Sequence, residues 1–538
     1  MRLTTISGSS LALAVCCCLV AVAAQAPAKP EPTDPGPLPK YVADPIPLYT
    51  TGLGPFSRKI SSRNPDAQAF FNQGFQMMYA FAKLDAVRSF REAWKRDPDC
   101  AVCYWGEAWA WGSYLNGPMS AEHSPFAYAA AKKALSRRDK ATPQEQAFID
   151  ALQVRYVKDF DVKQRVEQDK AYAEAMAKVY AEYPEDLDAG TLYGDALFLL
   201  EPRRGTRDVT APNIKKLHGV LESVLARDAK HPGACHLYVH ATESTVRPEK
   251  AEACAAFLGS SIPGASHINH MPSHTFNEVG RWGDSVRANL QAWHSDLKAD
   301  FGEGFAIYPD HNLHMLLYAA SMDGQGAIAM QAGRDYAKRT SDTMYEVLTL
   351  VRFGRFDEVL GVTKRPEREV PAAVWDFAQG YAYLRKNQTD FARVYLARVE
   401  KTADTSKAEF RTHPARQLLG VLGGILEGEI ARAAGDGPAA IAAFERAVTA
   451  DDALEYDEPE PLPFPARHWL GAALLEAKRF AEAERVYTED LKDHPHNGWS
   501  LSGLQQALKA QNKPTADVDK DFEGSWSRSD TWARASRF

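Results

Sequence analysis

Residues 69–100 read AFFNQGFQMMYAFAKLDAVRSFREAWKRDPDC, with Gly74, Ala86, Phe90, Ala93 and Pro98 as its fixed points. A bare backbone position on one helix, an aromatic flanked by alanines on the next, and a terminating proline describe two helices packed closely and then stopped. Working outward, the pattern recurs. Ala251, Ala255, Leu258 and Pro263 fit the second helix of a later unit, and residues 267–279 the first helix of the one after. Gly428, Ala431, Ala440, Phe444 and Ala447 match again, as do Gly471, Ala483, Tyr487 and Pro495; Trp499 and Gly503 begin one more helix. Asp490 stands where a small residue is expected, and an insert after Trp111 breaks the period. No sustained apolar–polar alternation marks a strand. The sequence therefore predicts an all-α fold, a superhelical array of helix pairs, or α-solenoid.

Composition sets limits on function. The 538 residues carry 63 Lys and Arg against 70 Asp and Glu, a net charge of −7. That balance excludes a nucleic-acid partner held through phosphate contacts. Residues 1–23 read as a Sec-type signal peptide, with Arg2, an apolar run Leu11–Ala23 and small residues at Ala21 and Ala23. A lipoprotein signal around Cys16 fits less well, because Val15 precedes it. No later stretch is long and apolar enough to span a bilayer. The expected location is periplasmic or secreted, with no integral membrane segment after cleavage. Four cysteines then remain in an oxidising compartment, Cys100, Cys103, Cys235 and Cys254. Three disulfide connectivities are open, and the helical layout favours Cys100–Cys103 with Cys235–Cys254. Residues 24–63 read as a Pro-rich flexible arm, 64–513 as the array with an acidic Pro-rich loop at 451–465, and 514–538 as a tail or cap.

Residues 231–318 hold nine of the fifteen histidines. His236, His240 and Glu243 recur at helical spacing, as do His267, His270 and His274, and then His311 and His314. At roughly 100° per residue each set shares one helix face. HINHM at 267–271 and HNLHM at 311–315 are equivalent segments of neighbouring units, so their imidazole faces should lie side by side. Neutral imidazole is a common metal ligand, and helices can assemble a site between them. The expected transition-metal ligands are His236, His240, His270, His274 and His314, then His267 and His311. Glu243 and Asp310 serve as further ligands or as acceptors that orient the rings. Such donors suit copper, zinc, iron or nickel. Any one of these histidines alone is better read as a hydrogen-bonded core residue. Pro272 either kinks a helix running from His267 or starts a new one. Trp105 and Trp109 read as core, while Trp111 and Tyr114 are equally compatible with a ligand groove. Gly324-Gln-Gly326 follows no strand, so it is no dinucleotide loop, and no Walker A, HExxH or GxSxG motif is present.

CYWGEAWAWG at 103–112, HLYVHATES at 236–244, HINHMPSHTFNEVGRW at 267–282, DHNLHMLLYAA at 310–320 and the run 467–508 resemble a family of exported bacterial tetratricopeptide-repeat (TPR) proteins with a His-Met-Pro-Ser-His motif. The resemblance covers the chain from about Asn64 onward and implies TPR-like helix pairs, without an assigned reaction. Two functional readings stand. The first is a TPR protein that binds a peptide, protein or small ligand in its concave groove and carries a histidine-bound metal. The second is a metalloenzyme in that groove, with copper or iron activating oxygen or zinc activating water.

Overall fold

A computed structural model describes residues 35–202, 205–532 and 534–538. The expected signal peptide and the arm before residue 35 lie outside the described residues. From Pro65 to Ala510 the chain forms successive helix pairs, beginning with Pro65–Tyr79 and Lys83–Arg96 and ending with Arg467–Glu476 and Phe480–Asp493 before the helix Gly498–Ala510. Among the described residues the strands are a single two-residue hairpin, Glu409–Phe410 with His413–Pro414. The fold is the all-α TPR-like array that the sequence predicts.

The repeat pattern works through close approach. A Cβ built on Gly74 would stand 2.9 Å from the Phe90 ring, and one on Gly106 would stand 2.5 Å from it. Phe90 is thus seated between bare backbones of two successive units. Tyr487 is seated in the same way between Gly471 and Gly503. Asn64 caps the first helix by accepting from the Asp66 and Ala67 amides, with Pro65 at its first position. Both favoured disulfides are present: Cys100–Cys103 at the start of the helix Ala101–Trp111, and Cys235–Cys254 between the helices Pro232–Thr242 and Glu252–Ser261.

From Pro47 to Ser61 the Pro-rich arm does not hang free but lies along the array. Tyr49 and Gly54 donate their amides to the Gln73 and Gln76 side chains, and Gln76 returns bonds to the Gly54 and Phe56 carbonyls. The Arg58 guanidinium closes on Asp186 and Asp188 at 2.7 and 2.6 Å. Buried glutamines supply the pairing that an extended segment needs and lacks on its own.

At the other end, the tail reaches back over several units. Asp530 accepts from the Gly326 and Ala327 amides, Arg352 donates to the Ser536 carbonyl, and Tyr381 donates to that of Phe538. Arg537 reaches the buried Glu429 at 3.1 Å and Glu476 at 2.9 Å. The buried apolar side chains form two large cores, one drawn from Val42 to Ile307 and one from Val286 to Ala507, with Trp282, Tyr318 and Met322 as a small third cluster. The histidine-bearing helices lie where the first gives way to the second.

Candidate metal centre

Three stretches of helix bring the imidazoles together. In Pro232–Thr242 the first position is Pro232, and His231 caps by accepting from the Ala234 amide, which fixes the phase of His236 and His240. Ser266–His270 carries His267 and His270, and Pro272–Glu278 carries His274. Met271 between them keeps helical angles, φ −50° and ψ −35°, so the chain stays helical across Pro272. Pro272 is the first residue of the second piece and His274 falls one turn after His270. Tyr308, at φ 57°, makes a sharp turn into Pro309–Met322, which carries His311 and His314.

The ligand atoms form three groups, each within 4.8 Å: His236, His240 and His267; His270, His274 and His311; and His240, Glu243, His274 and Glu458. The first two are triplets of imidazoles, the first drawn from two helices and the second from three. They are adjacent, with the His267 and His270 ring centres 4.9 Å apart and those of His240 and His274 5.1 Å apart.

Hydrogen bonds select the nitrogens that face the ligand space. His236 Nδ1 donates to the Tyr79 carbonyl at 2.6 Å, so its Nε2 carries the lone pair. That Nε2 stands 3.1 Å from His267 Nε2. His240 Nδ1 donates to Glu243 Oε1 at 2.9 Å, which leaves its buried Nε2 without a partner. His274 Nδ1 meets the other Glu243 oxygen at 2.5 Å, and His274 Nε2 lies 3.3 Å from His270 Nε2. Glu243 therefore orients one ring in each triplet, in the manner of the carboxylate–histidine pairs that stand behind metal ligands. His267 Nδ1 and His270 Nδ1 are also buried and unpartnered.

Burial favours the neutral form of four of the six rings. Burial, reinforced by neighbouring imidazoles, holds His236, His267 and His270 well below the ordinary histidine value. Burial lowers His240 as well, against the pull of Glu243. Burial and Glu458 oppose the charge on Glu243, but His274 and His240 outweigh them and bring its pKa down. A carboxylate backing neutral imidazoles is the state a cation requires.

Two expected residues stand elsewhere. His314 lies 4.1 Å ring to ring from Tyr345, Arg411 Nη1 stands 3.2 Å from its Nδ1, and it falls in none of the three groups. Asp310 points outward and pairs with Arg339 at 2.8 Å, so it neither ligates nor orients a ring. Trp111 is core, packed on Phe126, and Tyr114 bonds the Tyr308 hydroxyl at 2.6 Å beneath the His267 ring.

Several contributors gave no sequence signal. Phe81 covers the first triplet, with ring centres 4.2 Å from His236 and 5.4 Å from His267. Glu458 arrives from the acidic loop. Arg411, on the short hairpin, holds that loop through Asp457 at 2.7 Å and the Glu458 carbonyl at 2.6 Å. The one available hint is the acidic, Pro-rich composition of 451–465, which reads as a loop.

No family model matches the chain, and no curated protein matches it. Among solved structures it is similar in fold to the crystal structure of the APC/C hetero-tetramer Cut9–Hcn1, with 11% identity over 89% of this chain and 77% of that one, at a TM-score of 0.30. Yeast Tom70 gives 10% identity over 87% and 93%, at 0.28. The P58(IPK) TPR domain gives 12% identity over 83% and 98%, at 0.21.

Proposed function

We propose that this chain is an exported TPR-like metalloprotein whose two imidazole triplets each hold a transition-metal ion, beside a groove that takes a peptide, protein or small ligand. One observation carries the proposal: six imidazoles in two adjacent triplets, with the ring orientations set by Glu243 and the Tyr79 carbonyl. His240 Nε2, His267 Nδ1 and His270 Nδ1 are buried without a hydrogen-bond partner, which buried polar groups of a purely structural role ordinarily have. Imidazole donors point to copper, zinc or iron.

The triplet arrangement also supports the metalloenzyme reading. Structural sites close four positions with protein ligands, while three protein ligands leave a position for water or substrate. Glu243 and the loop residue Glu458 group with His240 and His274, and both carboxylates are further oxygen donors beside the triplets.

The test is metal content by mass spectrometry on tag-free protein recovered from the exported fraction. The expected result is about two equivalents of one transition metal, falling to about one in His236→Ala and in His270→Ala. Metal-free protein that takes up none of copper, zinc or iron when each is offered would end the proposal. For the second reading, addition of azide to the copper- or iron-loaded protein should change its absorption spectrum, and an unchanged spectrum with full metal content would favour a closed, structural site.

A further inference from the structure

A cleft of about 620 Å³ opens beside the histidines, between the helices Pro272–Glu278 and Pro309–Met322 and the loop 451–465. His274 is part of its lining, so the cleft runs from the surface to the edge of the second triplet. Asn277, 7% exposed, also lines it, and the Asn277 Oδ1 is buried with no hydrogen-bond partner. Next to it Glu278 faces the same space and has no ion-pair partner among the described residues. Burial, with Glu460 and Glu243 nearby, raises the Glu278 pKa well above the ordinary carboxyl value.

The Asn277 oxygen thus stands without a donor beside a carboxyl whose charge is opposed by burial and acidic neighbours and would be favoured by an entering cation. Trp282 and Tyr318 form an aromatic wall, with ring centres 6.1 Å apart and planes at 61°. The basic side chains of the lining are already engaged, Arg467 with Asp452, Lys492 with Glu489 and His494 with Glu460 and Asp490. An anion entering here meets Glu278, Glu460 and the loop carboxylates. A neutral apolar group leaves the Asn277 oxygen unsatisfied. A group with N–H donors, positive charge and a short apolar stem satisfies the acceptors, the charge and the rings together.

We infer that this cleft binds an alkylammonium group, carried by a free amine or by the lysine side chain of a peptide, with its nitrogen at Asn277 and Glu278. The site is built from residues other than the metal ligands apart from His274. It therefore goes beyond the metal reading and does not require it.

The experiment is isothermal titration of the full protein with n-butylammonium and with the peptide acetyl-Gly-Lys-Gly-amide. Butyrate and acetyl-Gly-Glu-Gly-amide are the controls. The expected result is saturable binding of an ammonium probe, weakened about tenfold or more by Glu278→Gln, with neither anionic probe binding. Binding of the peptide alone assigns a peptide source, and binding of the free amine assigns a small-molecule source; both support the inference. No saturable binding of either ammonium probe, equal binding of butyrate, or undiminished binding by a folded Glu278→Gln protein overturns it. Thermal melts establish that the variant is folded. Should it not fold, Asn277→Asp carries the test, since an added carboxylate at that point should tighten ammonium binding and unchanged or weaker binding would overturn the inference. Repeating the titration after dialysis against a chelator separates the two readings. Amine binding by metal-free protein upholds this site whatever becomes of the metal proposal, and full metal content without amine binding refutes this site alone.

Discussion

Glu243 Oε2 lies 2.5 Å from His274 Nδ1. The other oxygen of the same carboxylate takes the Nδ1 proton of His240, so one buried side chain sets ring orientation in both triplets. Glu243→Ala is expected to weaken metal affinity by roughly 10–100-fold, read by competition against a chelator. Glu243→Gln should fall between, because an amide offers one acceptor oxygen rather than two. Wild-type affinity in the alanine variant would remove Glu243 from this role.

His311 and His314 occupy one helix but different surroundings, and they separate the site from its neighbourhood. His311 shares a triplet with His270 and His274, whereas His314 is engaged by Tyr345 and Arg411. His311→Ala should lower metal content. His314→Ala should keep the metal and lose roughly 1–3 kcal/mol of stability, because Arg411 and Tyr345 are left in a buried hole. The reverse pattern in metal analysis and urea melts would show that the second triplet is misassigned.

Asp490 joins two histidines that titrate in opposite directions. His468 Nε2 donates to Asp490, while its Nδ1 accepts from Arg352. Burial, with Arg352 beside it, brings His468 down to about 4 against the pull of Asp490. Burial works against the His494 imidazolium, but Glu460 and Asp490 outweigh it and hold its pKa well above the usual value. For His468 the unfolded chain binds the extra proton, so its stabilisation is complete above about pH 6.5 and is lost as pH falls toward 4. For His494 the folded chain binds it, so its stabilisation is complete below about pH 6.5 and is lost as pH rises through the folded pKa. Each slope is about 1.4 kcal/mol per pH unit within its window. His468→Gln should flatten the acid limb of a stability–pH curve and His494→Gln the alkaline limb. Unchanged limbs would contradict the assignments.

Unit packing predicts opposite signs for two glycine substitutions. Gly106→Ala pushes a methyl into the Phe90 ring and should cost about 1–3 kcal/mol. Phe90→Ala, which empties the same contact, should cost roughly 3–5 kcal/mol. Gly219 is exposed in the helix Pro212–Leu225 with nothing within 4 Å of an added Cβ. Gly219→Ala should therefore stabilise by about 1 kcal/mol. Urea denaturation reads all three, and a stabilising Gly106→Ala would refute the seating of Phe90.

The array was legible because its signals are local. Gly74, Ala86 and Phe90 meet through helix geometry that spacing along the chain defines, and the same geometry put His236 with His240 and His270 with His274. It did not separate His311 from His314. A shared helix face places both rings on one side, but how far the cluster extends along the axis is decided by Arg411, which comes from a distant hairpin. Glu458 and Phe81 were missed for the same reason, since nothing in their spacing encodes where a loop settles on another unit. Asp490, which looked like a fault in the repeat, is fully buried and takes Ser500 and Asn497 as well as two histidines. A carboxylate with that many donors can replace a small packing residue.

The tail changes how such an array comes apart. A linear stack of repeats owes its stability to nearest neighbours and can fray from either end one unit at a time. Here residues 528–532 and 534–538 touch Asp323, Arg352, Tyr381, Glu429 and Tyr487, which lie on or at the end of helices of five successive pairs. Losing any one of those units means releasing the strap that the others share. The strap thus couples units that are not neighbours, so the opening of one is expected to loosen the others.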